Sequence, residues 1–238
     1  MKAFRSLPIR ECGEPLVPVA SGAVSLVEPH PYRSLGAPYL GADPWRLRSG
    51  VATALQQAAA LLAARQSNWR LRLFDALRPN RVQAFMVWRE FQRQAGAAGL
   101  SLAACGNPDQ VAQRLPAVYE LLAPRVFEFW SEPSEDPASP PLHSTGGAVD
   151  LTLVDAAGQE ADMGCPIDEV GPRAYPDHFV QASAARLQAC HERRRLLNEV
   201  MSAAGFSRHP NEWWHFSLGD QLWAWQRGMP AAIYGRME

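Results

Sequence analysis

Residues 140–155, "PPLHSTGGAVDLTLVD", place one histidine and one aspartate seven positions apart across a Gly-Gly hinge. Further on, "NEWWHF" at residues 211–216 supplies Glu212 three positions before His215. A catalytic zinc site takes three protein ligands and keeps a fourth position for water or substrate. His143, Asp150 and His215 offer two nitrogens and one carboxylate, and Glu212 is a carboxylate to spare. Hydrolysis has a use for that spare group. Zinc lowers the pKa of water to about 7, and a nearby carboxylate can take the proton and later hand it to a leaving amine.

Either half alone is common by chance and reads as structural. The chain has other histidines, His30, His178, His191 and His209. His209 is the nearest rival ligand, but Pro210 and its place before Glu212 assign it to a loop. Trp213 and Trp214 read as an aromatic pair at the edge of the core in preference to a substrate platform.

These residues need elements to hold them. "AVDLTLV" reads as a strand with Asp150 and Thr152 on one face and Leu151 and Leu153 on the other. "WRLRLFDALRP" also alternates until Pro79, and "NRVQAFMVWREFQRQAG" then turns helical, so Arg78 stands at a strand-to-helix junction. In "GADPWRLRSGVATALQQAAALLAARQ", Asp43 is expected to cap a helix with Pro44 in its first turn, and Leu47, Val51, Leu55, Ala58 and Leu62 form its core face. Residues 131–141, "SEPSEDPASPP", are a surface loop that delivers the chain to His143. "MGCPIDEVGPRAYPDHF" is irregular. A long helix follows from about Ala182 to Ala204, capped by Gly205, and "GFSRHPNEWWHFSLGD" reads as a strand pair. No Gly-rich phosphate motif or regular strand–helix rhythm is present, so the expected class is α+β, with an antiparallel sheet and flanking helices.

Composition narrows the partners. The 238 residues carry 23 basic and 24 acidic side chains, a net charge of −1, with no dense Lys/Arg run; nucleic acid and anionic lipid are not expected, and a small molecule is. The Arg193–Arg195 triplet in "HERRRLL" reads as a solvated helix face. Four scattered cysteines read as free thiols. With no apolar secretion segment near the N-terminus and no run of 18 apolar residues, a cytoplasmic protein of one domain, residues 1–238, is expected.

Four ordered motifs, "YLGADPW", "FDALRPNRVQAFMVW", "HSTGGAVDLTL" and "EWWH", make the chain resemble the D-alanyl-D-alanine dipeptidases of the VanX type from about Tyr39 to His215. These are zinc enzymes that share an α+β fold with other murein peptidases and with the Hedgehog signalling domain. The resemblance implies that His143, Asp150 and His215 hold one Zn²⁺ per chain and that Glu212 is general base and then acid. It also implies that Arg78 stabilises the oxyanion, while Asp168, in "GCPIDEV", and Tyr39 bind the ammonium of a small dipeptide, D-Ala-D-Ala. A fixed guanidinium beside a metal suits developing negative charge on its own terms. A related carboxypeptidase acting on peptidoglycan-derived peptides, or a zinc-stabilised binding domain, are the alternatives. One departure stands out: Pro141 occupies the position, two before the first zinc histidine, where the family commonly has a serine. Proline has no hydrogen to donate, and Ser144, just after the histidine, is the hydroxyl that could compensate.

Overall fold

The structure, a computed structural model, describes residues 3–20, 22, 24–66 and 68–237; both ends of the expected domain, residues 1–2 and 238, lie outside them. In chain order the strands are β1 (Leu16–Pro18), β2 (Val24–Leu26), β3 (Arg46–Arg48), β4 (Trp69–Asp75), β5 (Ala148–Asp155), β6 (Ser207–Arg208) and β7 (His215–Ser217). The helices are α1 (Pro31–Ser34), α2 (Ser49–Arg65), α3 (Asn80–Ala97), α4 (Pro108–Arg114), α5 (Pro116–Phe129), α6 (Ala185–Ala203) and α7 (Gln221–Gln226).

Five strands form the main sheet in the order β2-β4-β5-β7-β6, and β1 pairs with β3 apart from it. The class is α+β, but the sheet is not wholly antiparallel. The edge strand β2 runs parallel to β4, while β4–β5, β5–β7 and β7–β6 are antiparallel. β5 is the centre of the sheet and is buried on both faces over Ala148–Val154. Helix α2 packs against β4 and α6, and α6 against β5. Leu71, Leu73, Leu151 and Leu153 join Val51, Leu55 and Leu62 of α2 and Leu197, Val200 and Met201 of α6 in one core cluster. Burying each such side chain contributes about 1.5–3 kcal/mol, which makes this the layer that holds the sheet rigid.

The start of α2 departs from expectation. Asp43 does not cap a helix; its carboxylate accepts the N–H of Trp45 in a local turn, and Arg46–Arg48 pair with β1. The helix begins at Ser49, and its first turn is satisfied from a distance. Glu14 Oε2 accepts from the Gly50 N–H at 2.6 Å and from Ser49 Oγ at 3.1 Å. A Cβ at Gly50 would lie 2.8 Å from that same oxygen, so a larger residue there would have to displace the Glu14 carboxylate.

The arginine triplet departs too. Arg195 is exposed and pairs with Glu192 and Glu199, but Arg194 is 1% exposed. Its guanidinium donates to the carbonyls of Met163, Tyr175 and Arg173 at 2.7–2.9 Å and sits over the rings of Phe179 and Trp213. Residues 163–175, irregular as expected apart from a 3-10 turn at Pro172–Ala174, are thus pinned to α6 by one buried cation. The four cysteines are free. Among the described residues no helix is long and apolar enough to cross a membrane.

Candidate active site

One row of residues crosses the sheet. Asp150 on β5 is paired with His215 on β7 and with Asp75 on β4. The pairing with Asp75 depends on a register shift between Leu73 and Asp75, in which two residues of β4 oppose one of β5. Without that bulge, Phe74 would face Asp150 and Asp75 would point to the other side of the sheet. His143 arrives at the same end on a 3-10 turn, Leu142–Thr145, that leads into β5.

Both glycines of the hinge are required by geometry. Gly146 has φ +73°, and a Cβ there would meet Leu16 at 2.6 Å; a Cβ on Gly147 would meet the Leu218 carbonyl at 2.7 Å. Arg48 locks the turn, donating from Nε to the Thr145 carbonyl at 2.8 Å.

Three side chains converge. His143 Nε2 lies 3.2 Å from His215 Nδ1 and 3.2 Å from Asp150 Oδ2, and His215 Nδ1 lies 3.0 Å from Asp150 Oδ1. The far side of each ring is engaged. His143 Nδ1 lies 2.8 Å from the Ala76 carbonyl, which can only accept, so that nitrogen carries the proton and Nε2 presents a lone pair. His215 Nε2 lies 3.2 Å from Ser217 Oγ. Two imidazole lone pairs and a carboxylate aimed at one another repel unless a cation sits among them. A tetrahedral ion with bonds of about 2.0–2.2 Å sets its ligand atoms about 3.3–3.6 Å apart, close to the separations here, so the donor set fits a divalent metal. His143, Asp150 and His215 are the group among the described residues that could hold one. The two imidazoles, when charged, hold the Asp150 carboxyl well below the ordinary range although its burial works the other way.

Arg78 lies just behind this triangle, at the junction of β4 and α3. Its Nε donates to Asp75 Oδ2 at 2.8 Å, Nη1 to Gln83 Oε1 at 2.9 Å, and Nη2 to Tyr32 Oη at 3.1 Å and Asp150 Oδ2 at 3.0 Å. Its guanidinium also covers the rings of Tyr32 and Trp130. Burial opposes the charge, but the surrounding acids Tyr32, Asp75, Asp150 and Asp168 keep it a cation.

Asp168 is half-buried and has φ +67°, a backbone conformation uncommon outside glycine. The Tyr32 hydroxyl lies 2.9 and 3.1 Å from its two carboxylate oxygens. Burial, with the charges of Asp150 and Asp75, pushes the Asp168 carboxyl up to about 8 despite Arg78 and Tyr32. An unfolded chain releases that proton near pH 3.9. Between those values the folded state binds the extra proton, so this group makes the fold less stable as pH rises. Asp168→Asn should therefore gain in melting temperature over wild type as metal-free samples are taken from pH 4 to pH 9. A difference that does not change with pH in calorimetry would remove the charge from this account.

Glu212 stands in the turn before β7, 6% exposed, with Oε2 3.9 Å from His215 Nδ1 and Oε1 3.6 Å from His209 Nδ1. The turn is tied on both sides. The Trp213 N–H donates to the Ala174 carbonyl, and the Leu151 N–H to that of Trp214. Arg78, His143, Asp150, Asp168, Glu212 and His215 line one cleft.

A sequence profile described as D-ala-D-ala dipeptidase matches residues 25–232. The chain belongs to this family. It is 41% identical to the D-alanyl-D-alanine dipeptidase of Synechocystis sp. over 250 aligned positions, covering 100% of this chain and 98% of the relative. It is 30% identical to the Escherichia coli protein of the same name, over 72% of this chain and 66% of that one. With the Enterococcus faecium D-alanyl-D-alanine dipeptidase it shares 36% identity over 35% of this chain and 40% of the relative.

Within this D-Ala-D-Ala dipeptidase family member, the residues read from the sequence are not all brought together. Tyr39 points its hydroxyl at Asp75 Oδ1, 3.4 Å away, and does not line the cleft; the tyrosine on Asp168 is Tyr32. Ser144 does not take the place of the family serine, because its hydroxyl donates to the Pro141 carbonyl at 2.7 Å, while Leu142 lines the cleft. Trp213 is a core residue and Trp214 lines the cleft wall, their rings edge-to-face at 5.5 Å.

Sequence reasoning missed Asp75, Tyr32 and Gln83; His209 lies in the loop after β6, as expected, but that loop turns it into the cleft. His209 is 2% exposed and its ring lies 5.4 Å from that of His215. Asp75 sits at the hub: Oδ1 accepts from His30 Nε2 at 3.1 Å, while His30 Nδ1 accepts the Tyr32 N–H and caps α1. One imidazole thus couples Asp75, which holds Arg78, to Tyr32, which holds Asp168. The signal available in the sequence was the "FDALRP" motif, in which Asp75 stands three residues before Arg78.

Proposed function

We propose that this protein is a zinc-dependent dipeptidase that hydrolyses D-Ala-D-Ala to two D-alanines, working as one domain in the cytoplasm. The observation that carries the reading is the convergence of His143 Nε2, His215 Nδ1 and Asp150 within about one ligand–ligand spacing, with the Glu212 carboxylate beside them. Membership of the family and the names of its relatives support the substrate. His143, Asp150 and His215 would hold the zinc, which supplies Lewis acidity, activating water and polarising a carbonyl.

The remaining work falls to the chain's own side chains. Glu212, 3.9 Å from the metal-facing atom of His215, takes the proton of the attacking water and returns it to the amine of the departing D-alanine. Arg78 is fixed by Asp75 and Gln83 before substrate arrives, so its charge needs no reorganisation to stabilise the scissile oxygen as it becomes an oxyanion. Asp168, hydrogen-bonded to Tyr32, receives the substrate ammonium. Its raised pKa fits that task, since an arriving cation replaces the proton with a charge-assisted bond. Base and oxyanion donor are what a purely structural metal site lacks.

A closed ammonium pocket predicts substrate size. N-acetylation removes the cation and with it the charge-assisted hydrogen bond to Asp168, which costs about 2 kcal/mol, roughly 30-fold in kcat/KM. Measured on zinc-loaded protein, D-Ala-D-Ala should be cleaved, whereas N-acetyl-D-Ala-D-Ala and a pentapeptide ending in D-Ala-D-Ala should fall by at least that factor. Comparable rates on all three would reassign the protein as a carboxypeptidase acting on peptidoglycan-derived peptides.

A further inference from the structure

Residues 39–42 make a tight turn away from the cleft. The Ala42 N–H donates to the Tyr39 carbonyl at 3.0 Å, and Leu40 and Gly41 between them have φ +50° and +86°. Two left-handed residues in a row are the backbone of a type I′ turn, whose first central place is ordinarily taken by Asn, Asp or Gly. Here it holds a leucine, whose bulk disfavours that backbone. Leu40 is also 81% exposed, more than any other large apolar side chain among the described residues. Neither backbone preference nor burial within this chain accounts for a leucine at that point.

The turn is firmly held. Arg81 donates from Nε to the Pro38 carbonyl at 2.8 Å and from Nη2 to that of Tyr39 at 2.6 Å. Arg33 Nη2 donates to the Ala42 carbonyl at 2.6 Å, and its guanidinium covers the buried Tyr39 ring. A knob fixed in this way has little left to order when a partner arrives. The same Arg81 lines a hollow of about 590 Å³. Helix α3 gives the hollow Phe85 and Trp88, four and seven residues on from Arg81 and so on the same helix face, and α5 gives it Tyr119 and Phe127. All four rings are half-buried. The mouth is acidic, with Asp109 exposed in the first turn of α4 and Glu132, which also meets Arg5 at 3.2 Å. The knob, by contrast, is flanked by the exposed Arg33.

We propose that two copies of this chain meet on this face as a two-fold dimer, in which Leu40 of each copy enters the aromatic hollow of the other and Arg33 faces the acids at its mouth. A two-fold contact needs one patch that is complementary to itself. An apolar knob with a basic flank, joined through Arg81 to an aromatic hollow with an acidic mouth, is such a patch. Leu40, being exposed, leaves the hollow of its own chain open, so shape and charge are both matched only by a second copy turned to face the first. A different partner would have to match knob and hollow separately. Seated in the hollow, the leucine gains the burial that offsets its unfavourable backbone.

The test is analytical ultracentrifugation of the full chain at concentrations up to roughly 100 μM, well above the micromolar constants of the weakest interfaces of standard size. Wild type should sediment with twice the 26.2 kDa mass of the chain. L40N puts a residue suited to the turn in place of the knob, and A84R fills the hollow from an exposed position on α3 that lines it, with a good helix former. Each should raise the dimer dissociation constant by at least about 30-fold, the effect of losing an interface hot spot, while circular dichroism stays that of the folded wild type. An equimolar mixture of the two variants should dimerise more tightly than either alone. The mixed pair keeps one intact contact, the knob of the A84R chain in the hollow of the L40N chain, and sets the filled hollow against a missing knob. A wild type that remains a monomer at the highest concentration would overturn the proposal. So would a dimer whose constant neither variant changes, since the copies would then meet elsewhere, and so would a mixture no tighter than its components, since the seating would then not be reciprocal.

Discussion

His143→Ala and His215→Ala should each lose zinc and turnover together. Three ligands are the minimum for a catalytic zinc centre, and here they come from three places: a 3-10 turn, the central strand and its neighbour. Among the described residues the group that could hold a metal is His143, Asp150 and His215; Arg78 occupies the remaining side of Asp150 and Glu212 is 3.9 Å from His215 Nδ1. The loss of affinity should exceed the roughly 10²-fold that removal of an outer partner costs, and activity should fall to near the uncatalysed rate. The fold should survive, because His215 takes part in the sheet through its backbone: its carbonyl accepts the His209 N–H. Metal analysis after gel filtration, with a melting curve of the metal-free protein, checks both parts. One zinc per chain bound as tightly as wild type in either variant would show the ligand assignment to be wrong.

The histidines and Asp150 were legible because each is close to local punctuation. A Gly-Gly hinge and an alternating strand fix where His143 and Asp150 go, and a Glu-x-x-His turn fixes Glu212 relative to His215. Arg78 was legible through Pro79, which precedes α3 as its N-cap, four residues after β4 ends. What could not be read was set by register and by distant contacts. Asp75 reaches the site only because β4 carries a bulge, and one residue of slip would turn it away. Tyr32 and Tyr39 are seven residues apart, both are buried, and no periodicity says which hydroxyl meets Asp168 from 136 residues away.

The same cause explains the misread elements. Asp43 and Pro44 match a helix start by local rules, yet strand pairing of Arg46–Arg48 with β1 and the Glu14 carboxylate place that start at Ser49. Arg194 looked like one of three solvated arginines, and only the carbonyls of residues 163–175 give it a reason to be buried. β2, three residues long, has too little pattern to reveal that it runs parallel to β4.

Burial of so many charges around one cleft separates two roles that a single carboxylate might otherwise share. Asp150 is surrounded by imidazoles and Arg78, which keep it ionised and suit it to a metal. Glu212 lies at the edge of that cluster, beside the imidazoles of His209 and His215. Glu212→Gln should therefore keep zinc while lowering kcat by at least about 10²-fold, the lower end of what general acid-base catalysis contributes. Glutamine retains the volume and a hydrogen-bonding oxygen but cannot take a proton, so KM for D-Ala-D-Ala should change far less than kcat. Zinc content, kcat and KM on the same preparation decide it. Loss of metal would make Glu212 a ligand, and near-normal turnover in a folded, zinc-loaded sample would mean that the proton of the attacking water goes to another group, with His209, 3.6 Å from Glu212, the first to examine.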